Sequence, residues 1–242
     1  MDYPNISLLM PIFNRNKFTE LILENIFKLN YDHNKLELVI LDDGDKERLL
    51  SNPNEIQQFR EYIYPVELKY VQTFDGQKTI GYKRNKLVKL AKNNIIAMMD
   101  SDDYYLSDYL KHSIDTMNKY KCNIVGSNQM LFCYPNKDVN SKWLFTGIQC
   151  DKKKLIHEAT MCFTKKHWKA MGGFANESCS EGVKMIEGMK QEKVGLTEIK
   201  NIMICICHSD NTVNKDNFKT QQECDIPLPL LDKILISKCV FS

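Results

Sequence analysis

The chain has 242 residues, 43% of them hydrophobic, enough for one large domain or two small ones around a sizeable core. Its 33 lysines and arginines nearly cancel its 31 aspartates and glutamates, leaving a net charge of +2, so no overall field selects nucleic acid or an anionic membrane as a partner. Nine cysteines without the spacing of a small disulfide scaffold predict reduced thiols. The opening MDYPNISLLMPIFNRN carries an acid at position 2 and too short an apolar run for a signal segment or a membrane span, so a cytoplasmic chain is expected.

In chain order, ISLLMPIF (6–13) is a continuous apolar run and predicts a strand. KFTELILENIFKLN (17–30) sets Phe18, Leu21, Ile22, Asn25, Ile26 and Leu29 at helical spacing, and LELVILDDG (36–44) predicts a second strand. PNEIQQFREYIY (53–64) enters a helix through Pro53, VELKYVQ (66–72) alternates as a strand does, and IGYKRNKLVKLAKNN (80–94) is helical before the strand IIAMMD (95–100). This β-α-β-α-β-α-β order implies an α/β fold with a mostly parallel sheet and helices on both faces. Beyond Asp103 come a helix near 107–120, the apolar segment CNIVGSNQMLFCY (122–134), a lysine-rich loop at 135–154, and ATMCFTKKHWKAMGGF (159–174), a strand turning into a short helix. This less regular half is expected to complete the same sheet.

Ligands of an open parallel sheet bind beyond the carboxyl ends of its strands. There the first predicted strand ends in PIFNRN, the second in Asp42-Asp43-Gly44-Asp45 and the fourth in Asp100-Ser101-Asp102-Asp103. Taken singly, the first acidic cluster suits a polar turn, and Ser101 or Asp103 suits the cap of the next helix. Two acidic clusters on two strand ends of one sheet point instead to a ligand. One carboxylate can bond a ribose or a base edge while a neighbour two residues on ligates a hard divalent cation that bridges phosphates. A nucleoside diphosphate with Mn²⁺ or Mg²⁺ would supply the missing positive charge, and without it the carboxylates are expected to repel one another.

The stretches PIFNR (11–15), LELVILDDG (36–44), GYKRN (81–85), AMMDSDDYY (97–105) and GGFANESCSEG (172–182) occur in an order and spacing that resemble the inverting glycosyltransferases of the GT-A fold, family 2 type, over roughly residues 5–190. The resemblance implies a GT-A fold, a UDP- or GDP-linked sugar as donor, Mn²⁺ or Mg²⁺ as cofactor, and a glycan, protein or small-molecule hydroxyl as acceptor. It implies that Pro11, Phe13, Asn14 and Arg15 line the donor site, that Asp42 or Asp43 meets the base or ribose, and that Asp100 meets the ribose. Asp102 would hold the metal, with Ser101 and Asp103 supporting, and Arg84 would lie over the pyrophosphate or ribose with Lys83 beside it. One domain over 1–242 is expected, with a nucleotide-binding half at 1–103, an acceptor and metal half at 104–224, and a tail at 225–242 that is too short to span a membrane. The oligomeric state stays open.

The catalytic base departs from the family pattern. Where the family carries a Glu-Asp pair after the Gly-Gly-Phe turn, this chain has Glu181-Gly182, so Glu181 is the candidate base, with Glu177 or a residue elsewhere as alternatives. Glu181 also suits the cap of a predicted helix EGVKMIEGMKQ. Further on, IMICICHSDNTVNK (202–215) ends a strand at His208. Cys205, Cys207 and His208 lack ordinary zinc spacing. The order His-x-x-Asn-Thr resembles a stretch of glycosyltransferase-like proteins from large DNA viruses and implies that His208 adds a metal or pyrophosphate contact. Trp143 reads as core and Lys152-Lys153-Lys154 as a solvated run. Two alternatives remain. One is a catalytically inactive nucleotide-sugar-binding module of the same fold, suggested by the absent acid. The other is a haloacid dehalogenase-like phosphatase, which would want its Asp-x-Asp on the first strand.

Overall fold

Strand β1 (Ile6–Ile12), helix α1 (Thr19–Phe27), β2 (Leu36–Asp42), α2 (Pro53–Tyr62), β3 (Glu67–Gln72), α3 (Ile80–Leu90) and β4 (Ile95–Met98) follow the predicted alternation. They come from a computed structural model that describes residues 2–149, 156–190 and 193–241. β1 pairs in parallel with β2 and β4, and β2 with β3. Helices on both faces explain why β1 and β2 are apolar at nearly every position. Leu8, Met10, Leu38 and Ile40 enter the core on one face, while Leu9, Val39 and Leu41 enter the core on the other. Two of the polar exceptions in these strands, Ser7 and Glu37, bond each other, and Glu37 also accepts the Lys92 N–H at 2.8 Å. Asn52 caps α2 ahead of Pro53, and Thr79 caps α3 by accepting the Tyr82 N–H.

The rest of the chain forms β5 (Tyr104–Tyr105), α4 (Tyr109–Tyr120), β6 (Ile124–Gly126), β7 (Gln129–Tyr134), β8 (Leu144–Gln149), β9 (Cys162–Thr164), α5 (Lys165–Met171), β10 (Gly195–Leu196), β11 (Met203–Ile206), β12 (Gln222–Glu223) and α6 (Leu230–Phe241). The first sheet runs β10-β6-β9-β4-β1-β2-β3, with β9 antiparallel to both β4 and β6. A second sheet runs β12-β8-β7-β11-β5. The second half therefore both completes the first sheet and builds another, unlike the expectation of one sheet. The segment 122–134 divides between the two, and the loop expected at 135–154 contains β8. Lys152, Lys153 and Lys154 lie outside the described residues.

Among the described residues after Glu181 the expected helix does not form. A 3-10 turn at Val183–Met185 stands there instead, between Gly182 and a Gly188 whose φ of 71° breaks a right-handed helix. Trp143 is buried in the core. The tail forms α6, which buries Ile236 and Cys239, and Lys238 pairs with Glu20 of α1. Eight of the nine cysteines are described and none of these is in a disulfide. Among the described residues, no helix is long and apolar enough to cross a membrane.

Candidate functional site

In the first sheet Ile12 stands level with Asp42, and Leu9 with Met98, so the segments leaving β1, β2 and β4 emerge at one edge. A cavity of about 670 Å³ opens there, lined by Pro11, Phe13, Asn14, Arg15, Lys83, Arg84, Asp100 and Asp102 together with Lys17, Lys46 and Lys78. Asn14 adopts φ 51°, a left-handed conformation that asparagine tolerates. Its Oδ1 accepts the backbone N–H groups of Asp45, Lys46 and Glu47 at 3.1, 3.2 and 3.1 Å, fixing the loop after β2.

Asp42 and Asp43, the residues expected to meet base or ribose, are buried at the end of β2 and held by internal donors. Asp42 is fully buried, with Oδ1 accepting the Gly44 N–H at 2.8 Å and Oδ2 accepting the Leu49 N–H at 2.9 Å and the Tyr70 hydroxyl at 2.6 Å. Asp43 pairs with Lys83 Nζ at 2.7 Å and accepts the Lys78 N–H at 2.7 Å. Neither lines the cavity, because these internal donors already satisfy them. Burial pulls the Lys83 pKa down, against the charge of Asp43.

The second acidic cluster is partly compensated from within by Arg84, Arg15 and His208, while, on top of burial, Asp102 still pushes up the pKa of Asp100 and both push up that of Asp103. Asp100 receives Arg84 Nη2 at 3.3 Å on both oxygens; burial pushes its pKa up while Arg84 opposes. Asp102 faces Arg15 Nε at 3.3 Å and His208 Nε2 at 3.1 Å. Burial raises its pKa, but the bond from His208 and the charge of Arg15 outweigh this and hold it at about 2. Asp103 is buried and accepts the Ile206 N–H at 3.1 Å; burial holds its carboxyl well above the usual range. Ser101 is buried beneath the turn and lines neither this cavity nor the one next to it. His208 is wedged by the Phe18 ring at 4.9 Å and by Asn211 Nδ2 at 2.9 Å from its Nε2.

A second cavity of about 400 Å³ shares Ile80, Arg84, Asp100, Asp102, Ser178 and Thr212 with the first and adds His157, Glu158, Glu181, Asp103 and Lys215. Arg84, 3% exposed, stands on the wall between them. Its Nε lies 3.0 Å from Glu181 Oε1, and its buried Nη1 has no hydrogen-bond partner among the described residues. Burial raises the Glu181 pKa and Arg84 opposes it. Glu158 and Lys215 were not singled out from the sequence. Glu158 sits in IHEAT, a lone acid between a lysine run and a strand, with no motif around it.

Two of the quoted stretches, GYKRN and the Gly-Gly-Phe turn, form one unit. Asn85 donates through Nδ2 to the Phe174 carbonyl at 2.9 Å, and its Oδ1 accepts the Phe174 N–H at 2.8 Å and the Trp168 indole at 2.9 Å. The Gly81 N–H donates to the Glu177 carbonyl at 2.8 Å, an approach so close that a Cβ on Gly81 would stand 1.7 Å from the Ala175 oxygen. The loop bearing Ser178 and Glu181 is thus clamped to the helix bearing Lys83 and Arg84.

A family model described as glycosyl transferase family 2 matches residues 7–172. The chain belongs to glycosyl transferase family 2. Among curated family relatives, a dolichyl N-acetyl-alpha-D-glucosaminyl phosphate 3-beta-D-2,3-diacetamido-2,3-dideoxy-beta-D-glucuronosyltransferase of Methanococcus voltae is 22% identical over 78% of this chain and 55% of its own length. Chondroitin synthase of Escherichia coli is 25% identical over 99% of this chain and 34% of its own length. The chain thus spans between about a third and just over half of these relatives. Among solved structures, a mannosyltransferase of Pyrobaculum calidifontis in complex with GDP-Man and Mn²⁺ superposes with a TM-score of 0.62 at 16% identity, over 90% of this chain and 59% of that one. Staphylococcus aureus TarS 1–349 in complex with UDP-GlcNAc gives 0.62 at 17%, over 96% and 70%. The fold is the GT-A type expected of the family.

Proposed function

We propose that this family 2 protein is a metal-assisted glycosyltransferase that moves a sugar from a UDP- or GDP-linked donor to a hydroxyl acceptor with inversion. The observation that carries this reading is the meeting of two cavities at Arg84, Asp100 and Asp102. The larger cavity, rich in lysine and arginine, suits a nucleoside diphosphate. The smaller, walled by Glu158 and Glu181, suits a hydroxyl that must lose a proton. Asp42 and Asp43 serve the donor end from behind, by fixing the loop after β2 and aiming Lys83.

Asp102 and His208 would hold a divalent ion once it displaces the proton that His208 Nε2 shares with Asp102. Two ligands in cis on an octahedral ion with bonds of about 2.1 Å stand about 3 Å apart. His208 Nε2 and Asp102 Oδ2 stand 3.1 Å apart, an imidazole and a carboxylate of the kind Mn²⁺ accepts. Among the described residues no cluster of three His, Cys, Asp or Glu side chains is assembled, so further ligands would come from the diphosphate and water. When bound, the ion would stabilise the charge of the departing diphosphate. Arg15 neutralises Asp102 in its absence. The buried Nη1 of Arg84 supplies a donor that awaits a ligand oxygen.

Family membership removes the phosphatase alternative. The inactive module loses its main support, since a second carboxylate does reach the wall of the smaller cavity. The test is thermal denaturation with UDP-GlcNAc or GDP-mannose, with and without Mn²⁺, followed by assay of nucleoside diphosphate release. At a hundredfold excess over its dissociation constant a donor should stabilise the protein by about 2.7 kcal/mol, and only with the metal present. Equal stabilisation in the presence of a chelator would refute metal assistance, and no response to any nucleotide sugar would refute the donor site.

A further inference from the structure

We propose that Glu158 is the general base, a proposal that rests on the transferase reading above. The resemblance drawn from the sequence implies an acid at the position of Gly182, and here that position has no side chain. A Cβ built on Gly182 would stand 2.4 Å from Glu158 Cγ, 3.1 Å from Glu158 Cδ and 2.7 Å from Met161 Cε. Glu158 therefore fills the volume that a side chain at 182 would take, and its carboxyl reaches the same cavity wall from a different segment of the chain. Position 182 itself has φ −81° and ψ −13°, open to any residue, so what excludes a side chain there is occupancy.

The turn that carries Glu158 is held firmly against the acidic cluster. The Tyr105 hydroxyl accepts the Asp100 N–H at 2.9 Å and donates to the Ala159 carbonyl at 3.0 Å, so one oxygen sets the spacing between Asp100 and the Glu158–Thr160 turn. Thr160 Oγ1 accepts the Ser127 N–H at 2.9 Å and pins the other end of the turn. Glu158 Oε1 accepts the Gly182 N–H at 3.1 Å, which orients the carboxylate and leaves Oε2 for an acceptor hydroxyl. Glu181 is differently placed: it is 4% exposed and paired with Arg84 at 3.0 Å, at the end of an Asp100–Arg84–Glu181 chain. The Glu181 carboxylate is committed to the Arg84 guanidinium, and Glu181 acts as a positioning residue for Arg84.

In the step itself the acceptor O–H bond breaks and its proton passes to Glu158. The freed oxygen forms the bond to the anomeric carbon, and the bond from that carbon to the β-phosphate oxygen breaks, its electron pair leaving with the nucleoside diphosphate. The experiment uses the full chain with UDP-GlcNAc or GDP-mannose, Mn²⁺ and water as acceptor, reading diphosphate release and, by calorimetry, donor affinity. Glu158→Gln keeps the shape and the bond to Gly182, so affinity should stay within about twofold while release falls about 10²-fold or more. The Glu158→Gly, Gly182→Asp double variant should release diphosphate at least about tenfold faster than Glu158→Gly alone, since it returns a carboxylate to the same volume. A merely structural role for Glu158 predicts no such rescue. Release by Glu158→Gln at the parent rate, or a double variant no faster than Glu158→Gly, overturns the proposal. A parent chain that binds donors and never releases diphosphate overturns the transferase reading instead.

Discussion

Gly81→Ala sets two effects of opposite sign against each other. In the interior of a helix alanine is favoured over glycine by about 1 kcal/mol, so at an open position this change would stabilise α3. At position 81 the new Cβ would lie 1.7 Å from the Ala175 oxygen, a backbone atom that cannot rotate away. Ordinary contact needs about twice that distance, so the loop must retreat by more than an ångström. Its retreat breaks the 2.8 Å bond from the Gly81 N–H to the Glu177 carbonyl and strains the Asn85–Phe174 pair. Overpacking of this kind costs about 1–3 kcal/mol and the lost hydrogen bond about 1 kcal/mol. The net expectation is a loss of about 2 kcal/mol, which lowers the melting temperature of a chain this size by about 4–8 °C. Thermal denaturation followed by circular dichroism measures it. Gly147→Ala is the control, because its Cβ would meet nothing closer than 3.8 Å. Diphosphate release should fall as well, since the displaced loop carries Ser178 and Glu181. A Gly81→Ala melting temperature equal to or above that of the parent would refute the clamp between α3 and this loop.

Asp102→Asn removes the carboxylate shared by Arg15 and His208; we expect the ligand-free protein to melt a few degrees earlier and to lose its Mn²⁺-dependent response to nucleotide, and a variant that keeps that response would exclude Asp102 as a metal ligand. Lys28 Nζ has no hydrogen-bond partner among the described residues, and burial lowers its pKa to about 7 against the pull of Asp232. Folded Lys28 thus binds fewer protons than unfolded Lys28 between about pH 7 and pH 10.5, so stability should rise with pH across that window. Lys28→Met should flatten the rise and stabilise the protein below pH 7 by an amount on the order of a few kcal/mol, as urea denaturation at pH 6.5 and pH 10 would show. Asn14→Ala leaves three amide groups without their acceptor; donor affinity measured by calorimetry should drop about tenfold, consistent with about 1.4 kcal/mol, and unchanged affinity would show that the loop after β2 stands clear of the donor.

The first half of the fold was legible because its signals are local. Continuous apolar runs bounded by Pro53 and by the acidic clusters mark strands buried on both faces, and the cap residues Asn52 and Thr79 mark helix starts. Strand β8 was hidden because LFTGIQ is short, holds a glycine and lies in a lysine-rich context. The expected helix after Glu181 failed because its apolar spacing is helical but Gly182 and Gly188 bracket it. At the site, the sequence brought the right residues to one edge of one sheet, yet it could not say which way they turn. Asp42 and Asp43 fall inward because the Leu49 N–H, the Tyr70 hydroxyl and Lys83 wait for them, partners 7, 28 and 40 residues away. Glu158 was invisible for the same reason. Its meaning depends on a glycine 24 residues later whose lack of a side chain is only half of the arrangement.

Strand β9 lies between β4 and β6, although β6 precedes it in the chain by some 36 residues of sequence. A ribosome delivers Ile95–Met98 early and then makes 63 more residues, 99–161, before Cys162–Thr164 can cover that edge. Through that interval the nascent chain exposes a short, wholly apolar strand with unpaired backbone groups, the kind of edge that recruits other chains. A polypeptide stopped before residue 162 should therefore precipitate or remain bound to a chaperone, while one extended past Thr164 should stay in solution. The insertion that places Glu158 beside Asp100 also makes the newborn protein dependent on a timely arrival.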